Sequence, residues 1–164
     1  MDKSTKSEQL QLRVSREEKH AIQRAAAQAG MDMSAYVLSR VVPAPAAMFQ
    51  ELGQACAGPE PRYALAELNS LLSGFTAGQL KDAVFERPSA NLTPYYGNYI
   101  AAMVELVCAK RAIAPPFWTR AVAPLPEPVF GSSLEGLRLY LLTHSPPPFR
   151  RRNIFIDSSV DERI

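Results

Sequence analysis

Polar and apolar residues alternate strictly along Gln9-Leu10-Gln11-Leu12-Arg13-Val14, the period of a strand with one buried face. The period then changes. Ile22, Ala25, Ala26 and Ala29 recur at i, i+3, i+4 and i+7, which predicts a helix with one apolar face. Ser15 and Glu18 are spaced as a capping box at its start, and Gly30 stands where a left-handed residue would close its end. A second helix carries Tyr36, Val37, Leu38 and Val41, with Asp32 and Ser34 as alternative N-caps. Pro43 ends it. The order is strand, helix, helix.

Downstream the helical period dominates. Residues 47–56 and 62–73 read as short helices split by Gly58-Pro59-Glu60-Pro61. Thr76 can cap a helix reaching about residue 86. Thr93-Pro94 supplies a cap and an N1 proline for the longest helix, 94–112. Its stripe of Tyr96, Tyr99, Ile100, Met103, Val104, Val107 and Cys108 predicts a buried helix, with Tyr95, Tyr96 and Tyr99 spaced as core aromatics. Residues 113–131 hold five Pro and read as an irregular wrap. Ser133 can open a helix through Leu142, and 153–157 is strand-like. The expected fold is mainly α: a module of one strand and two helices, then a mostly helical C-terminal domain.

Proline sets the boundary. Residues 1–42 contain none, whereas Pro43 and Pro45 open an Ala/Pro stretch. The division expected is therefore 1–42, a linker at 43–47, and a second domain at 48–164. Charge divides at the same place. The chain of 164 residues carries 18 Lys and Arg against 16 Asp and Glu. Seven of the basic and five of the acidic residues precede Pro43, so its +2 lies in the first module and the remainder is neutral.

A lone strand leaves its backbone donors and acceptors unpaired, and forty residues cannot bury a strand face and two helical faces alone. Pairing of the strand with a second copy resolves both, so the module is expected to be an obligate homodimer. Leu10, Leu12, Val14, Ile22, Val37 and Leu38 would form the dimer core. Gln9, Gln11 and Arg13 then project from the other face. A two-stranded ribbon fits the DNA major groove, where Arg pairs with guanine and Gln with adenine. The first amides of the second helix, near Ser34, suit a phosphate, and Lys3 and Lys6 could add salt-dependent phosphate contacts.

The string QLRVSREEKHAIQRAAAQAGMDMSAYVLSRV resembles the ribbon-helix-helix fold, and most of all the antitoxins of bacterial toxin–antitoxin pairs. The resemblance implies that Gln9, Gln11 and Arg13 read double-stranded operator DNA and that the start of the second helix, through Ser34, clamps phosphate. It also implies repression of the chain's own operon and neutralisation of a toxin, of the acetyltransferase or nucleotidyltransferase type. Antitoxins of this kind carry a short tail, whereas here about 120 residues follow. Candidate toxin contacts in that region are Phe117, Trp118, Arg150, Arg151 and Arg152, although a solvated charged turn is the favoured reading of the arginines and core packing that of the aromatics. Two alternatives stand beside the antitoxin: a regulator whose C-terminal domain senses a metabolite, and a DNA-binding protein of plasmid transfer or partition.

Other classes recede. Two Cys and two His are too few for a disulfide framework and poor material for a metal site. No phosphate loop, nucleophile elbow or paired-carboxylate motif occurs, so neither enzyme activity, cofactor nor metal is expected. Apolar runs stop well short of the roughly 20 residues that cross a bilayer. Residues 1–9 are polar and lack a leader pattern, and the expected location is the cytoplasm.

Overall fold

The computed structural model of the protein describes residues 11–41 and 44–157. The chain divides into two compact units, Met1–Pro43 and Ala44–Ile164. Gln9, Leu10, Lys3 and Lys6 lie outside the described residues.

In the first unit, local chemistry sets each helix end. Helix α1 spans Arg16–Gln28 and opens on the expected capping box. The Ser15 hydroxyl accepts from the Glu18 amide at 3.2 Å, and the Glu18 carboxylate accepts from the Ser15 amide at 2.7 Å. At its other end Gly30 takes φ of +66°. The Gly30 amide donates to Ala27 O and the Met31 amide to Ala26 O, the two bonds of a Schellman turn. Helix α2, Met33–Val41, starts immediately afterwards and packs on α1. Gln11–Val14 enters the Ser15 cap without a ladder in the single chain; the ladder expected of it is one between two copies.

The second unit begins with a helix where a linker was expected. Helix α3, Pro45–Ala55, takes Pro45 as an early helical residue, where its fixed φ is already helical and its missing amide costs nothing. Helix α4 (Pro61–Gly74) packs against it. Helix α5 is shorter than its predicted extent, Ala77–Ala83, although Thr76 and Gln79 form a second capping box. The chain leaves it at Val84, whose carbonyl accepts from the Trp118 indole at 2.8 Å.

Helix α6, Pro94–Lys110, is the axis of this unit. Ile100, Val104 and Cys108 are buried in one cluster with Phe49, Leu68, Leu72, Leu80, Phe149 and Ile154. Helix α6 packs against α4, against α7 (Phe117–Ala121) and against α9 (Pro147–Arg150). Tyr99 meets Phe149 edge-on at 5.1 Å between ring centres, which carries out the expected core role. The proline-rich wrap is thus partly regular, holding both α7 and β1, Val129–Phe130. Strand β1 pairs in parallel with β2, Ile154–Phe155. The stretch from Ser133 does not run as one helix: a 3-10 turn at Glu135–Leu137 precedes α8, Arg138–His144. Gly136 lies inside that turn, where glycine propagates an α-helix poorly.

Candidate nucleic-acid interface

The first unit buries little by itself. Ala26 is its one buried side chain among the described residues, while Ile22 and Val37 are half-buried. Leu12 is 60% exposed and Val41 69%, and Val14, Met31, Met33 and Leu38 are exposed as well. Six large apolar side chains open to solvent on about thirty residues form a surface that a soluble monomer does not ordinarily present. The predicted dimer-core residues that can be described therefore fall into two groups. Ile22 and Val37 are partly packed by the chain's own helices, and Leu12, Val14 and Leu38 are exposed.

Gln11 and Arg13 are exposed and alternate with Leu12 and Val14. Successive side chains of an extended segment point to opposite faces, so a face that buries Leu12 and Val14 presents Gln11 and Arg13 outward. At the start of α2 the choice between two caps is decided. The Asp32 carboxylate accepts from the Ala35 amide at 2.8 Å, which makes Asp32 the N-cap and puts Ser34 inside the first turn. The preceding amides, of Met33 and Ser34, have no acceptor within the helix. An anion arriving there meets two open donors and the exposed Ser34 side chain, with Asp32 already committed to the cap. Arg40, near the end of α2, lies over the Tyr36 ring at 5.3 Å.

The candidate toxin contacts in the second unit do not form one surface. Phe117 is 84% exposed, but Trp118 is half-buried with its indole bonded to Val84 O. The arginine triplet divides three ways. Arg150 is exposed. Arg151 is exposed yet bonded to the Glu105 carboxylate at 3.0 Å. Arg152 is buried at 5% exposure, which rules it out both as a partner contact and as part of a solvated turn. Its Nη2 donates to the second Glu105 oxygen at 2.7 Å and to Thr119 O at 2.6 Å, and its Nη1 to Asn98 and Val122 O. Its Nε has no hydrogen-bond partner among the described residues.

Burial of a cation is tolerated when a carboxylate and carbonyls replace its water. The sequence signal for this pair was Glu105, the one charge inside the apolar run of α6 between Ala101 and Val107. Read together with a distant arginine, it marks a core ion pair. Cys56 and Cys108 are both buried. Burial raises both thiols, Cys56 to about 11, which keeps them protonated and unreactive. Among the described residues no helix is long and apolar enough to cross a membrane.

Residues 4–45 match the family model described as NikA-like, mobilization protein NikA, a ribbon-helix-helix family. The match spans the strand-like segment, α1 and α2, and ends at Pro45, leaving all but the first two residues of the second unit outside it. Neither the curated proteins nor the solved structures contain a significant match to the chain.

Proposed function

We propose that this protein is a dimeric ribbon-helix-helix DNA-binding protein acting in the mobilisation of a plasmid or similar element. The observation that carries the reading is the mobilization-protein match over residues 4–45. It falls on the segment where Gln11 and Arg13 alternate with exposed Leu12 and Val14. In this reading two copies pair their strands antiparallel, Leu10, Leu12 and Val14 close the core, and Gln9, Gln11 and Arg13 enter the major groove. The α2 amides and Ser34 hold a backbone phosphate, which sets the register of the ribbon without reading sequence.

The charge of the head supports specific rather than bulk recognition. Two heads carry +4 together, modest for a DNA binder, so affinity depends on placed groups such as Arg13 and the helix-end amides. An antitoxin would use the same head. Mobilisation is favoured because the family match points there and because the second unit is a folded body with a buried ion pair rather than a tail.

The test is selection of duplexes from a random pool by the full chain, followed by fluorescence anisotropy on the winners. A two-fold symmetric site is expected, and Arg13→Ala should weaken binding by roughly 1–3 kcal/mol, with relaxed preference at one base pair per half-site. Equal affinity for all duplexes would overturn base reading by this ribbon. Suppression of a toxic neighbouring reading frame on co-expression would turn the assignment to an antitoxin.

A further inference from the structure

Helix α8 is apolar nearly all round. Its sequence Arg-Leu-Tyr-Leu-Leu-Thr-His presents Leu139, Tyr140, Leu141 and Leu142 in four consecutive positions, so every face carries an apolar group. A helix of that kind is expected to be covered on all sides. Only Leu141 is buried. Leu139 is 75% exposed and Leu134, just upstream, 63%, with Leu137, Tyr140 and Leu142 exposed as well.

We propose that the segment Leu134–Leu142 is a second self-contact, in which the two copies of the C-terminal unit joined by a dimeric head pack their α8 helices together.

Charge argues for a second copy over a nucleic acid or a strongly charged protein. Glu135 and Arg138 are the only ionised groups in the segment, 3.7 Å apart on its exposed side, and they sum to zero. A patch of that balance neither repels its own copy nor attracts phosphate. It is also self-complementary, because a two-fold contact can set Arg138 of one copy against Glu135 of the other. Arg138 is held in place for this, over the Phe130 ring at 5.4 Å.

Tethering supplies the driving force. The inference rests on the dimeric head proposed above. In such a dimer both second units begin at Ala44, directly after a head that spans Met1–Pro43. Short tethers give millimolar effective concentrations, at which even a small apolar contact closes. Shielding five apolar side chains this way would also remove the aggregation hazard they pose in a free chain.

Cross-linking of the full-length protein tests the contact. Leu139→Cys and, separately, Leu142→Cys are treated with a short bismaleimide, with Tyr63→Cys on the exposed side of α4 as the reference position. Native Cys56 and Cys108 are buried and contribute little background. Covalent dimer is expected to form at least roughly tenfold faster at 139 and 142 than at 63, since a formed contact adds to the effective concentration that the head supplies to all three. Light scattering on the same samples reports assembly. A dimer in which 139 and 142 react no faster than 63 overturns the self-contact and leaves the dimeric head intact. A monomer overturns the head and the contact together. A tetramer with fast reaction at 139 places the contact between dimers and overturns pairing within one.

Discussion

Arg152 donates to Glu105 at 2.7 Å across the core of the second unit, and both side chains are buried. The two residues are 47 positions apart. Their pairing fastens the chain after α9 to the middle of α6, and the Arg152 backbone carbonyl then accepts from the Leu125 amide. The parallel pairing of β1 with β2 follows directly, through Val129 N to Asn153 O and Gly131 N to Phe155 O at 2.8 Å each.

Breaking that pair should be expensive. Glu105→Ala leaves the Arg152 guanidinium buried without its carboxylate and should cost about 3–5 kcal/mol. Arg152→Met strands the acceptors Thr119 O, Val122 O and Asn98 Oδ1 but leaves Arg151 on the Glu105 carboxylate, so it should cost less than Glu105→Ala, about 1–3 kcal/mol. Urea unfolding of the full chain measures both. A loss below 1 kcal/mol in either variant would contradict the burial described.

Gly53 lies in α3 with its α-carbon against Pro88. A Cβ there would stand 2.8 Å from Pro88 Cβ, too close for any side chain. Helix propensity favours alanine over glycine by about 1 kcal/mol, whereas overpacking of this kind costs about 1–3 kcal/mol. Gly53→Ala should therefore lower the melting temperature. A higher melting temperature would show that the residue 86–89 segment yields at no cost.

Asp32 and Ser34 separate by role. Asp32→Ala removes the bond to the Ala35 amide and should destabilise α2 by about 0.5–2 kcal/mol, read as faster amide hydrogen exchange across Met33–Val41. Ser34→Ala should leave that exchange unchanged and weaken DNA binding. If Ser34→Ala unfolds α2 instead, the cap is assigned to the wrong residue.

The Glu18 carboxyl is held below its ordinary value of 4.5, first by the Ser15 backbone amide and then by the Ser15 hydroxyl. A lowered folded-state value means that the cap contributes above pH 4.5 and is lost as pH falls through the lowered midpoint. The Ser15 amide resonance should therefore titrate with a midpoint under 4.5 and be flat in Glu18→Gln. A midpoint at or above 4.5 would show that the box is open in solution.

If Lys3 and Lys6 contact phosphate, each replacement by alanine should weaken binding to all duplexes alike and reduce the salt slope of log K by about 1. A change in sequence preference without a change in slope would place them on base edges.

Where an element's cause is local, it is legible in the order of residues. Ser15 with Glu18, Thr76 with Gln79 and Thr93 before Pro94 each satisfy helix amides from within three residues, so their chemistry is written in adjacent positions. Gly30 belongs with them, because only its own φ is at issue. The proline boundary is legible for the same reason, although Pro45 turned out to begin a helix.

Other features depend on residues that only folding brings together. Asp32 and Ser34 are equivalent as letters, and the backbone path into α2 selects Asp32. Residues 150–152 are three identical arginines, yet one is exposed, one bridges at the surface and one is buried, because each points differently from the end of α9 and the turn that follows it. The burial of Arg152 requires Glu105, Asn98, Thr119 and Val122 at once, contributed by two helices and the turn between α7 and β1. No window of sequence holds them. The exposure of Leu139 is likewise invisible in a pattern that reads as core on every side: the fold placed Leu141 inward and left Leu139 largely in solvent.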